Sequence, residues 1–361
     1  MKTVSGTVQD PPSSFADGVF MHRAVIFSDI PMAAPLVLIK ATLNAIACRD
    51  DIKVVAVCVP AEQVRFRAHW ERLVRKVPLK INPGDLQAPA RRRGTLWIRD
   101  LGHCARQHRF ALISPPDGNI NDPQFIDRLC REFRPTMALS YYCMQKFGEA
   151  LLGIFIHAVN YHNGLLPAYR GLNATAWSVY NGEERSGFAF HRMTNRIDQG
   201  PVLLDGEIPV VPGINAIDLD HDKAAAAAIV IPRVLQMIVA GDAGRPQGGV
   251  GSYYTKRRRE SLTSIGDPSA LSSDELSNRL RAFEKLLLNI DGRWHKVKHL
   301  RPIEAGGAGR YPASFRTTDG VTLAPVKCRR VPFVLWWFLM WMTERMPVRG
   351  CAGSSMKSGG S

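Results

Sequence analysis

The chain has 361 residues, 45% hydrophobic and 22% charged, and Lys plus Arg outnumber Asp plus Glu by 47 to 32 for a net charge of +15. That is enough apolar material for real cores, which excludes a mostly disordered chain, a coiled coil or a collagen-like repeat, and the length predicts two domains. The positive field favours an anionic partner without naming it: nucleic acid, a phosphorylated metabolite, a polycarboxylate or an acidic membrane. Cys48, Cys58, Cys104, Cys130, Cys143, Cys328 and Cys351 form an odd set with no CxxC pair. This argues against a disulfide framework or a structural zinc site and for a reducing cytoplasm. No metal site is expected.

Residues 1–20 are polar and contain Pro and Ser, without the basic start and apolar run of a signal peptide; a disordered tail is expected there, with Met21 an alternative start. Ala24-Val25-Ile26-Phe27 and Val54-Val55-Ala56-Val57-Cys58-Val59 read as buried strands flanking a helix over Pro35 to Cys48, a parallel βαβ unit. Asp122 to Phe133 and Thr136 to Tyr142 supply another helix and strand, so the first half is α/β. No GxGxxG follows the first strand, so a nicotinamide dinucleotide is not implied. Arg65 to Arg109 holds twelve Lys or Arg against three acids, including Arg91-Arg92-Arg93, with Trp70 and Trp97 interleaved. A solvated basic insertion is the plain reading, and an interaction surface beside the sheet's ligand edge is the other.

Ile214 to Ala240 reads as one long helix that Pro232 should kink or split. Gly241 to Gly251, with five Gly and one Pro, reads as a linker. Beyond it, Ser273 to Leu288 is an amphipathic helix with Asp274 and Glu275 in its first turn, and Trp294 to Leu300 and Val321 to Val326 are candidate strands of a small β-rich domain. Val331 to Met342 is apolar apart from Pro332. As a helix its twelve residues reach about 18 Å, short of a bilayer core. A buried or capping element is expected, with an interfacial membrane anchor as the minority reading. The expected units are 1–20, 21–212, 213–250, 251–345 and a Gly/Ser-rich tail, 346–361.

The stretch Asn160-Tyr161-His162-Asn163-Gly164-Leu165-Leu166-Pro167-Ala168-Tyr169-Arg170-Gly171 follows an apolar run, Leu151 to Val159. In a strand, Asn160 and His162 project together, an amide beside an imidazole at the carboxyl end where open α/β sheets hold ligands. Thirty-six residues after His162 comes Arg196-Ile197-Asp198-Gln199-Gly200-Pro201. Asp198 is a candidate partner that would orient the imidazole and raise its pKa. The residues alone leave structural and catalytic readings open.

The ordered set Asn160-x-His162-x-Gly-Leu-Leu-Pro-x-Tyr-Arg-Gly, Trp177, Asn181-Gly182, Gly187-Phe188-Ala189-Phe190-His191-Arg192-Met193 and Ile197-Asp198-Gln199-Gly200-Pro201-Val202-Leu203 resembles the 10-formyltetrahydrofolate-dependent formyltransferases. That family includes methionyl-tRNA, glycinamide ribonucleotide and sugar N-formyltransferases. Weaker similarity runs from Ala24 to about Arg281. The resemblance implies an α/β fold with a Rossmann-like formyltransferase catalytic domain and a smaller β-rich C-terminal domain, and 10-formyltetrahydrofolate as formyl donor. It carries the Asn-His-Asp triad onto Asn160, His162 and Asp198, with a protonated His162 and the Asn160 amide stabilising the formyl oxyanion. It places the pteridine against Tyr142, Cys143, Met144, Gln145, Lys146 and the loop holding Ile197, with Leu165, Leu166 and Pro167 shaping the wall. Arg170 and His191 are expected to pair structurally.

The implied acceptor is a primary amine on a small phosphorylated or nucleotide-linked molecule, an amino sugar first, with initiator methionyl-tRNA as the alternative. The Arg-rich stretch and the chain after Arg281 depart from the tRNA branch. Hydrolysis of the donor is a further alternative, disfavoured because residues 1–20 leave no room for the hydrolases' regulatory domain. An RNA- or membrane-associating protein reusing the fold is the non-enzymatic one. No DNA partner is expected.

Overall fold

The computed structural model describes residues 21–29, 33–60, 96–303 and 313–326. At its centre is a seven-stranded sheet made of β1 (His22–Phe27), β2 (Ile52–Cys58), β3 (Ala111–Ile113), β4 (Met137–Tyr141), β5 (His157–His162), β7 (Arg185–Arg192) and β8 (Val202–Pro209), in the order β3-β2-β1-β4-β5-β7-β8. The first five strands are parallel and the last two antiparallel. β1 shows why the apolar runs become central strands. Ala24 and Ile26 enter the core on one sheet face and Val25 and Phe27 the core on the other, all with 0% exposure. Burial on both faces requires helices on both faces. The long helices α1 (Ala33–Ile46) and α6 (Ala216–Val239) cover one face through Leu38, Ile39, Ile231 and Leu235, joined by α2 (Leu96–His108); α3 (Pro123–Arg128) and the short α4 (Glu149–Leu152) cover the other through Phe125 and Leu151.

Several expected boundaries move for local reasons. The helix expected to kink or split at Pro232 runs unbroken through it. The missing backbone donor costs about 3 kcal/mol in a helix interior, but Pro232 is exposed while Ile231, Val234 and Leu235 are buried. The carbonyl left free therefore sits on the solvent side. The element expected over Asp122 to Phe133 is α3, capped by Asp122 accepting from the Phe125 amide at 2.9 Å, followed by a wider π turn, Leu129–Phe133, that ends in the left-handed Arg134. The apolar run before Asn160 divides into the end of α4 and the start of β5.

The chain then forms β6 (Arg170–Gly171), paired in parallel with β9 (Tyr253–Tyr254), so the loop after His162 is stitched to the segment following residues 241–251. That Gly-rich segment lies along β8: Arg245 and Val202 exchange backbone hydrogen bonds of 2.7 and 2.8 Å. Helices α5 (Ala174–Tyr180), α7 (Lys256–Thr263) and α8 (Ser273–Phe283) follow in chain order around it. Trp177, Tyr254 and Phe283 form a shared apolar cluster. The helix expected to reach Leu288 stops at Phe283, where Glu284 turns left-handed at φ 65°, and the Leu286–Ile290 stretch alternates buried and open positions as a strand, β11.

The carboxy-terminal region is β-rich. β10 (Ser264–Ile265), β11 and β12 (Arg293–Val297) form one small sheet; β13 (Leu300–Pro302), β15 (Thr322–Pro325) and β14 (Phe315–Arg316) form another. Leu276, Leu286, Leu288, Val297 and Leu323 make its core. The strand expected over Trp294 to Leu300 is thus two strands in different sheets. The Arg91–Arg93 run, the Trp-rich 331–342 segment and both tails lie outside the described residues.

Candidate functional site

The first two βα units run β1, β2, β3 in one direction, and β4 and β5 then build on the opposite side of β1. Such a switch point opens a crevice at the carboxyl ends of the strands. Asp29, just after β1, bridges it: its Oδ2 accepts from the Met144 amide at 2.8 Å, and its own amide donates to the Tyr142 carbonyl at 3.3 Å.

β5 carries Asn160 and His162 on one face. Its antiparallel partner β7 sets His191 directly opposite Asn160 and Ala189 opposite His162, and directly opposed residues share a face. Accordingly Asn160 Nδ2 lies 3.1 Å from His191 Nε2. Asp198 arrives from the β7–β8 connection in the left-handed region, φ 53°, which a short polar side chain tolerates. Two residues on, a Cβ at Gly200 would stand 1.8 Å from the Arg192 carbonyl oxygen. Only glycine lets the loop close there. Asp198 Oδ2 accepts from the Gly171 amide at 2.8 Å and lies 3.6 Å from His162 Nδ1, while Oδ1 is 3.5 Å from His191 Nε2. Gln247 holds the loop from behind, donating to the carbonyls of Asp198 and Gly200 at 2.8 and 2.7 Å.

These contacts settle the proton positions. The Tyr169 carbonyl can only accept, so the 2.8 Å contact puts a proton on His162 Nε2 and leaves Nδ1 facing Asp198. The Arg192 carbonyl likewise fixes a proton on His191 Nδ1 at 2.9 Å; its Nε2 then accepts from Asn160 and holds that amide in place. Burial pushes the His162 pKa below 6.5, and this outweighs the upward pull of Asp198. The expectation of a cationic resting His162 is therefore corrected: at 5% exposure, desolvation dominates. Burial pushes the Asp198 carboxyl up, but the two imidazoles and the Gly171 amide more than offset this and hold it well below the usual carboxylate range. With the facing nitrogens of both imidazoles unprotonated in the resting site, the Gly171 amide at 2.8 Å remains to favour the charged carboxylate, and an ionised Asp198 stands beside a neutral His162 at neutral pH.

The three side chains open on a cavity of about 420 Å³, whose lining runs from Tyr142–Phe147 past Asn160, His162, Asp198 and Ile197 to Tyr253, Arg259 and Phe283. Met144 and Ile197 are 51% and 41% exposed, apolar flanks suited to a flat ring. Gln145 lines the wall but is tied elsewhere, donating to the Gly118 carbonyl at 2.9 Å and accepting from the Ile120 amide. Burial and then Asp29 push the Cys143 thiol well up, so it stays a neutral wall group. Leu166 and Pro167 are not among the residues lining the cavity. Leu166 instead packs with Ala189 and Val202 beneath the loop. Arg170 pairs with Gln247 Oε1 at 2.7 and 3.1 Å. His191 is more than a core histidine, because it orients Asn160 and faces Asp198. Its sequence signal was latent in the β5–β7 pairing, which strand patterns alone do not register.

Residues 117–235, which contain Asn160, His162 and Asp198, match the formyl transferase family. That stretch is about a third of the chain. The chain is 37% identical over 145 residues to a GDP-perosamine N-formyltransferase from Brucella melitensis biotype 1, a match covering 39% of this chain and 55% of that protein. The chain thus spans about half the length of the curated relatives it matches. The fold is similar to that of a sugar N-formyltransferase from Shewanella sp FDAARGOS_354, at TM-score 0.53 and 17% identity over 77% of this chain and 97% of the other. It is also similar to that of an N-formyltransferase from Helicobacter canadensis, solved with folinic acid and dTDP-3-aminofucose, at TM-score 0.50 and 16% identity over 86% and 100% of the two chains. These likenesses are of fold.

Proposed function

We propose that this chain transfers a formyl group from 10-formyltetrahydrofolate to the primary amine of a nucleotide-linked amino sugar. The observation that carries the reading is the convergence of Asn160, His162 and Asp198 on one cavity inside the formyl transferase domain, with Asp198 Oδ2 3.6 Å from His162 Nδ1. The amino sugar is favoured over initiator tRNA because the matched relative is a GDP-perosamine N-formyltransferase and the Helicobacter structure holds dTDP-3-aminofucose.

The chemistry follows from the protonation states. The neutral acceptor amine attacks the formyl carbon, forming a C–N bond and placing negative charge on the formyl oxygen. One N–H of Asn160 is held by His191; the other is free to stabilise that oxyanion. His162 Nδ1 takes the proton released by the amine, and the imidazolium so formed lies beside ionised Asp198. That attraction exists only once charge has moved, so it lowers the barrier without tightening ground-state binding. The intermediate collapses as the bond to the folate nitrogen breaks, and His162 returns its proton to that leaving nitrogen. The Met144 and Ile197 flanks would hold the folate ring.

Purified protein mixed with 10-formyltetrahydrofolate and a panel of nucleotide-linked amino sugars should release tetrahydrofolate with at least one of them. His162→Ala should lower kcat by about 10²- to 10⁴-fold, the contribution typical of a positioned base. Equal release by wild type and variant would remove the proposed role of His162.

A further inference from the structure

Behind the catalytic turn lies a charged group that the proposed chemistry does not use. Lys223 and Asp220 sit one helical turn apart on α6, 0% and 7% exposed, against Thr175 of α5 at 3%. Lys223 Nζ donates to the Asn163 carbonyl at 2.9 Å and to Thr175 Oγ1 at 3.2 Å. Asp220 Oδ1 accepts from Asn163 Nδ2 at 2.7 Å and from Thr175 Oγ1 at 2.9 Å. One side chain grips the main chain of Asn163 and the other grips its amide, immediately after His162.

We propose that Lys223 and Asp220 form a buried clamp that fixes the turn carrying His162, making Lys223 a positioning residue for the formyl transfer. The inference rests on the His162 reading above. Stability alone does not call for these residues, since well-packed apolar side chains of similar volume usually hold a core at least as well as a buried ion pair. What the pair adds is direction: two charge-assisted bonds to one residue restrict both its peptide and its side chain. A loosened turn would misplace Nδ1, and a shift of about 1 Å at a reacting group can cost about 10²-fold.

The clamp also has an electrostatic side. Burial pushes Lys223 down to about 7 against the upward pull of Asp220. Its positive charge is one of the influences holding the His162 pKa down. The other groups facing the pair are the Tyr142 and Tyr161 hydroxyls, both pushed well up, by burial first and then by Asp220, so they remain neutral. Removing the Lys223 charge therefore lets His162 take up a proton at higher pH.

The test compares Lys223→Met with the double variant Asp220→Asn/Lys223→Met, which leaves no unpaired charge and remains foldable if the single variant does not. In Lys223→Met the His162 ring resonance should titrate at higher pH than in wild type. In the double variant backbone hydrogen exchange across 162–164 should accelerate at least about tenfold, and kcat should stay about ten- to a hundredfold low with KM little changed. Exchange across 162–164 unchanged in the folded double variant would overturn the clamp, as would kcat within about twofold of wild type. The exchange and titration need no substrate, so they judge the clamp even if no amine is formylated, an outcome that would instead sink the transfer reading.

Discussion

In the proposed reaction His162 serves as the base because of where its protons are held. Its Nε2–H is committed to the Tyr169 carbonyl and its other nitrogen faces an ionised carboxylate, so burial keeps the ring neutral and ready to accept. Asp198→Asn should therefore have two separable effects. The acid limb of kcat, where His162 becomes protonated and inactive, should move to lower pH, because the group that raises the His162 pKa is gone. The plateau rate should fall by about ten- to a hundredfold, because the imidazolium formed in the transition state loses its counter-charge. A pH–rate profile of the variant checks both; an acid limb that moves upward would contradict the assignment. Asn160→Ala should cost about 10²- to 10³-fold in kcat with little change in KM, the usual loss for one oxyanion donor.

At the scale of elements, the site depends on two backbone approaches that only glycine permits. Gly171, at φ 91°, brings its amide to Asp198 where a Cβ would stand 2.4 Å from the Tyr254 carbonyl oxygen, and Gly200 closes the Asp198 loop against Arg192. Gly200→Ala must push backbone apart. It should lower stability by about 1–3 kcal/mol and, by moving Asp198, reduce kcat more than the stability loss explains; parallel melts and kinetics separate the two. Much of this architecture was legible in the chain. The double burial of β1 shows as an unbroken apolar run, and the shared face of Asn160 and His162 shows as an i, i+2 spacing ahead of a polar turn. What was not legible required tertiary register. His191 enters only through its pairing opposite Asn160, Gln247 reaches Asp198 across 49 residues, and Pro232 lies on the exposed side of its helix. The resting charge of His162 was misjudged for a related reason: sequence shows a neighbouring carboxylate but not the depth at which the pair is buried.

For the molecule as a whole, buried histidines set the response to acid. Burial first, then Arg192 and His22, push the His157 pKa down to about 4, and burial lowers His22 and His162 as well. A histidine whose folded pKa is depressed costs nothing above 6.5, where it is neutral folded or unfolded; below that the unfolded chain binds the proton first and stability falls. Melting temperature should decline as pH drops from about 6.5 to 4. His157→Gln, which keeps an acceptor for the Arg192 guanidinium at 3.1 Å, should flatten that decline by about 1 kcal/mol, a figure discounted because the ring is only partly buried. Asp198 contributes in the same sense but later, its stabilisation present above the ordinary carboxylate range and lost as pH falls below it. Among the described residues no helix is long and apolar enough to cross a membrane.

The net charge of +15 suits a diphosphate-bearing acceptor, and the central claim is that the formyl carbon ends on its amine. Supplying 10-formyltetrahydrofolate labelled with ¹³C in the formyl group, together with a nucleotide-linked amino sugar, and following the carbon by NMR tests this most directly. The account predicts a new formamide resonance on the sugar nitrogen, rising in step with tetrahydrofolate and suppressed in Asn160→Ala and His162→Ala. Label that appears only as free formate, or that moves equally fast in those variants, would contradict it.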